Sequence, residues 1–396
     1  MKKAFLIISI VITMALSDGY GQNRTIQFTE KPWSEILAQA KKDNKLIFMD
    51  AYASWCGPCK WMAANIFTKD SVADYYNKTF ICTHFDMEKG EGATLRSQYN
   101  VTAYPSLLFI NSAGELVHKK VGVAPKIKDY IDLGSTARNP EECLAAYEKK
   151  YSAGNLSGDF IARYLGRLAD AYMPATEVLQ KYFATQKEDQ LLTRTNWNII
   201  YRFVTDDNSR EFNWLLTHRK DYAVKYTKDS VNNKITDVFY KLLMSMTRYS
   251  NMTDAAYYSA KKKIKDSGFE GADRIFFMSD LGLYKIRGDN HSFVKLVYDG
   301  LDKFYGNDYT MLNSIAREVV SVTDSTKYLE KAKSWAERSI KIRSEADNND
   351  TYASILFKLG KKEEAIKAEK EALRIATGQK MDTKRFEDAL KRMEVN

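Results

Sequence analysis

The chain has 396 residues, 44% hydrophobic, 28% charged and 13% aromatic, close enough to a globular average to exclude disordered, collagen-like and low-complexity classes. Its formal charge of +9 sets 60 basic residues against 51 acidic ones. No Lys/Arg block forms, so nucleic acid is not an expected partner.

Lys2 and Lys3 precede an apolar run over 4–16, followed by small residues. The run is shorter than the roughly 20 residues a membrane-spanning helix needs. It reads as a secretory signal peptide over 1–21, cut after Gly21 or alternatively after Ser17, with an uncleaved anchor as the competing reading. No cysteine stands near the cut, so a lipid-modified N-terminus is not expected. Export is the expectation, to the periplasm if the source is Gram-negative.

Residues 25–28 read as a short edge strand, and 32–42 as a helix with Pro32 at its start and Trp33, Ile36 and Leu37 facing inward. The apolar run 46–52, bounded by turn signals, predicts a buried strand. A helix is expected from Cys56, another over 71–76, a strand over 80–85 and a helix over 93–99. Strands over 106–110 and 116–121 flank Asn111-Ser112-Ala113-Gly114, a hairpin turn in which Gly114 can take positive φ. A helix over 125–133 closes the series. Alternating strands and helices, ending in an antiparallel hairpin, predict a mixed α/β sheet with helices on both faces.

All six prolines lie at or before Pro174, and no glycine occurs between Pro174 and Gly268. So long a stretch without helix breakers reads as helical. The boundary is placed near 135–140, giving a mixed domain over 22–138 and an all-helical one over 139–396. Within the latter, 330–342 aligns with 363–375 at an offset of 33, with Leu359-Gly360 as the turn before the second copy. This resembles the tetratricopeptide pattern over about 308–378; the first copy carries about four extra residues at 324–327. Upstream, stacked hairpins and an irregular bundle both fit. Tyr257, Tyr258, Phe276, Phe277 and Trp335 are expected in the core. Stacked hairpins present concave surfaces, so the region is expected to bind protein.

There are four cysteines, Cys56, Cys59, Cys82 and Cys143. The loop closed by a Cys56–Cys59 pair is too small for a useful structural staple. No second Cys-x-x-Cys or His pair completes a zinc set, and no metal or cofactor is expected. Trp55-Cys56-Gly57-Pro58-Cys59-Lys60 follows the strand 46–52 and opens a helix, the context of a redox pair. Unpaired N–H groups there favour a Cys56 thiolate. Cys56 is the expected nucleophile, from its place at the helix terminus. Cys59, buried one turn deeper, would resolve the mixed disulfide, with Gly57 and Pro58 setting the turn. Cys82 and Cys143, in a strand and an amphipathic helix, are expected as buried fillers, and His84 and His118 as ordinary strand residues.

The segment from Asp50 to Lys60 resembles the active-site segment of thioredoxin, and the likeness covers about 25–134. It implies a thioredoxin fold for this region, ahead of the helical one. It also implies that Asp50 is a buried carboxylate taking the proton of Cys59, with a raised pKa. Tyr104-Pro105-Ser106 matches the family's cis-proline segment facing the cysteines, and Trp55 and Tyr104 would border the substrate groove. Where the family has a lysine near its buried carboxylate, this chain has Cys82, which should raise the Asp50 pKa further. The reading is an exported thiol–disulfide oxidoreductase. The Gly-Pro dipeptide favours a dithiol reductase of protein disulfides that draws on a membrane-embedded donor. The alternatives are an oxidase or isomerase with the same residues, or a redox-sensing scaffold whose helical region carries the main function.

Overall fold

A computed structural model of the chain describes residues 24–248 and 253–395; the expected signal peptide lies outside them. Among the described residues, no helix is long and apolar enough to cross a membrane. The chain divides into two compact units, one reaching Ile199 and the other starting at Ile200.

The first unit opens with α1 (Trp33–Asp43), β1 (Ile47–Tyr52), α2 (Gly57–Asn65), α3 (Asp70–Thr79), β2 (Ile81–Asp86) and α4 (Gly90–Gln98). It continues with β3 (Ser106–Ile110), β4 (Leu116–Val121), α5 (Ile127–Arg138), α6 (Leu144–Ser152) and α7 (Gly158–Asp170). In α1, Pro32 is the N-cap, Glu35 sits in the first turn, and Lys41 and Lys42 in the last. Those charges oppose the ends of the helix dipole, and Asn44 closes the helix in the left-handed region at φ 49. The strand order is β2-β1-β3-β4, with β1 parallel to β2 and antiparallel to β3.

Alternation along β1 divides the core. Phe48 packs with Met62, Tyr76, Phe80, Phe109 and Tyr130. Ile47, Met49 and Ala51 face the other way, onto Trp33, Ile36, Ala40 and Leu95. Asp50 shares the parity of Phe48, so it falls on the face that α2 covers. Gly92 lets α4 lie close against the end of β2: a Cβ there would stand 2.1 Å from the Asp86 carbonyl oxygen.

Several expectations change. Residues 25–28 form no strand. Their amides bond instead to the Phe67 carbonyl and the Asn77 side chain, leaving only an isolated bridge between Thr29 and Thr83. Helix α5 runs on through Ser135 to Arg138 because Gly134 and Ala137 stay buried. Cys143 is the N-cap of α6 rather than a residue within it.

Both α6 and α7 pack against β4. His118 of β4 is 2% exposed, and its Nδ1 accepts the Leu144 amide at 3.2 Å. Lys120, two residues on, pairs with Asp170 of α7 at 3.1 Å. His118 is therefore no ordinary strand residue. Burial, and after it the Arg167 guanidinium, pushes its pKa down to about 4. A depressed histidine pKa contributes stability that is full above the ordinary value near 6.5 and lost as pH falls toward 4, here about 3 kcal/mol. Urea unfolding at about pH 7 and about pH 4.5 should show that loss in the wild type. His118→Gln keeps an acceptor without titrating and should lack it.

The second unit is helical. The two segments related by the 33-residue offset fall within helices Thr326–Ile342 and Lys362–Gly378, with Ala346–Lys358 between them. Trp335, Tyr257 and Phe277 are buried as expected, and Phe276 is partly so. Tyr258 is 54% exposed. With Tyr257 turned inward in helix Asp254–Asp266, the next residue rotates about 100° away from the core.

Candidate active site

The end of β1 feeds a tight turn in which the Cys56 amide donates to the Ala53 carbonyl at 2.9 Å. Cys56 is extended, at φ −71 and ψ 107, and caps α2; Gly57 and Pro58 are the first two helical residues. Pro58 costs little there because its missing N–H would have had no helical partner. The Cys59 amide donates to the Cys56 sulfur at 3.1 Å. A thiolate at that sulfur would be held by an N–H and by the positive end of the helix.

The two cysteines are joined in a disulfide, with their Cα atoms 5.3 Å apart. Accessibility does not distinguish them. Cys56 is 2% exposed and Cys59 4%, because Ala53, Tyr52 and Tyr104 pack around the pair. Cys59 is buried as expected, and Cys56 is buried equally. What separates the two is helix position, since only Cys56 receives the amide.

Asp50 is 4% exposed, and burial pushes its carboxyl up to about 7. Its Oδ1 is buried without a hydrogen-bond partner. In register, Asp50 lies between His84 of β2 and Leu107 of β3. Cys82, at the place of the family's lysine, is opposite Phe48, and burial pushes its thiol up to about 12. Asp50 is thus a group that can take or give a proton near neutral pH.

On the rim, Trp55 is 66% exposed, and its ring meets that of Tyr104 edge-on at 5.9 Å between centroids. The Trp55 Nε1 donates to Glu88 at 2.7 Å, which fixes the indole. Gly57 and Pro58 are exposed, Pro105 is buried, and the Tyr104–Pro105 peptide is cis. The Pro105 carbonyl accepts the Gly122 amide at 2.8 Å. The structure therefore brings Tyr104 against the disulfide and Trp55 against Tyr104, with the cis Pro105 next in sequence to Tyr104 and Asp50 buried in β1, on the face that α2 covers. Tyr52 and Glu88 were not legible beforehand, one reading as a strand residue and the other as a solvated charge. Among the described residues, no group of three or more His, Cys, Asp or Glu side chains is placed to hold a metal.

Compared with known proteins, residues 24–132 match the family model described as Thioredoxin. Thioredoxin H4 of Arabidopsis thaliana is 38% identical over 94 residues, 24% of this chain and 74% of its own. The thioredoxin of Buchnera aphidicola subsp. Baizongia pistaciae is 27% identical over 113 residues, 28% of this chain and 95% of its own. A solution structure from Bacteroides thetaiotaomicron, described as a candidate disulphide-isomerase, is 44% identical with a TM-score of 0.27. It covers 30% of this chain and 99% of that one.

Proposed function

The chain belongs to the thioredoxin family and is a thiol–disulfide oxidoreductase, and from that premise we propose that it works as an exported dithiol reductase of protein disulfides. The observation that carries this reading is the Cys56 sulfur at the head of α2, receiving the Cys59 amide, with the Asp50 carboxyl buried in β1 and pushed up to about 7. The Cys56 thiolate attacks one sulfur of a substrate disulfide, and the other sulfur leaves as a thiolate. Cys59 gives its proton to Asp50 and attacks the Cys56 sulfur, which releases the second substrate sulfur. Two electrons pass to the substrate, and the pair ends as the disulfide seen here. Another dithiol must then reduce it. For an exported protein we assign that role to a membrane-embedded donor.

The direction rests on the Gly57-Pro58 dipeptide, which resembles that of the reducing members. We assign partner binding to the helical region, read as tetratricopeptide-like. A weakly held substrate there raises the effective concentration of its disulfide at Cys56. Equilibration of the full chain against a graded dithiol buffer tests the direction. A reductase should give a midpoint near about −270 mV, whereas one above about −200 mV would place the protein among oxidases and isomerases.

A further inference from the structure

The first unit has a concave site at the end of the sheet away from the dithiol. A cavity of about 720 Å³ opens where the end of α1, the start of β1 and the ends of α3 and α5 meet α6. The six residues of β1 separate it from the Cys56 turn, about 20 Å along the strand. Lys45 at the entry to β1, Lys78 of α3, Arg138 of α5 and Lys149 of α6 line it, against one acid, Asp43. Among the described residues, none of the four cations has a carboxylate within ion-pair distance. Lys150 of the same helix α6 is, by contrast, paired with Glu141 at 2.6 Å. Four elements distant in sequence thus bring unpaired positive charge to one hollow, a self-repelling arrangement that an anion relieves. The first turn of α6 also borders the hollow, adding the positive end of its dipole.

We propose that this hollow binds a small polyanion carrying at least two phosphate or carboxylate groups. The volume lies in the range of small-ligand sites, about 300–1,000 Å³. Arg138 offers a fork that matches either anion, and the three lysines supply point charges. Neither the dithiol nor any residue on its rim takes part.

The cavity carries its own reporter. Cys143 lines it and is 6% exposed, and with Cys56 and Cys59 held as the disulfide the remaining thiols are Cys82 and Cys143. The oxidised full chain is treated with a small neutral alkylating agent, and modification of Cys143 is followed by mass spectrometry. At about ten times its dissociation constant, inorganic tripolyphosphate or citrate should slow that modification by about tenfold. The compound that protects tells phosphate from carboxylate recognition. The double variant Arg138→Ala/Lys149→Ala should weaken binding about a hundredfold and leave reduction of a small disulfide unchanged, which also shows that it has folded. The proposal is overturned if neither anion protects Cys143, or if sodium chloride at matched ionic strength protects equally. It is also overturned if the double variant is protected as well as the wild type, or if only an oligoglutamate peptide or phosphatidylglycerol vesicles protect.

Discussion

Cys59→Ala is expected to halt the reaction halfway and hold substrates on Cys56 as mixed disulfides, while Cys56→Ser abolishes turnover, by about four orders of magnitude. The asymmetry follows from the head of α2, where the Cys56 sulfur is the cap that receives an amide and Cys59 lies inside the helix. A thiolate on Cys56 is stabilised before any substrate arrives, whereas Cys59 must lose its proton during resolution. Non-reducing electrophoresis followed by mass spectrometry of the trapped species reads the result and names the substrates. If Cys56→Ala traps partners on Cys59 as efficiently as the converse variant does, the two roles are wrongly assigned. Cys82→Ser and Cys143→Ser should leave turnover intact, because neither sulfur belongs to the cluster around the disulfide.

Removing the Asp50 carboxyl should shift stability in the variant's favour as pH rises, while slowing resolution. Burial raises this carboxyl from 3.8 to about 7. An acid with a raised folded pKa contributes stability that is full below the unfolded value and lost as pH rises toward the folded one. Between about pH 3 and about pH 8, the stability of Asp50→Ala relative to wild type should therefore move in its favour by about 4 kcal/mol. Comparing the two pH values cancels the pH-independent cost of the space left behind. Hydrogen-exchange protection of the β1 amides reads the local effect without assuming that both units unfold together. In the reduced protein, the wild-type rate of disulfide exchange should climb through about pH 7 as Asp50 becomes able to accept a proton. The Asp50→Ala rate should lack that step. A variant whose stability gap stays flat with pH would show that the carboxyl is not held neutral by the fold.

The sequence by itself determined the parts whose signals are local. The apolar run before Cys56 reads as a buried strand, the Gly-Pro dipeptide fits the first turn of a helix, and Asn111 to Gly114 fit a tight turn. These choices follow from backbone sterics and alternation within a few residues, and they place Cys56, Cys59, Asp50, Trp55 and Pro105 in one site once the family resemblance orders the strands. The stretch over 175–267, without proline or glycine, likewise announced helices there. Tertiary structure decided what depends on partners distant in sequence. Residues 25–28 are extended but find their bonds at Phe67 and Asn77, so no ladder forms. Tyr258 faces outward because Tyr257 takes the inward side of their helix. His118 becomes a buried acceptor only because α6 docks on β4 with the Leu144 amide aimed at it. The equal burial of Cys56 and Cys59, and the meeting of Lys45, Lys78, Arg138 and Lys149 around one hollow, have the same origin. Burial and electrostatic field are sums over neighbours supplied by separate elements, and no window of sequence contains those neighbours.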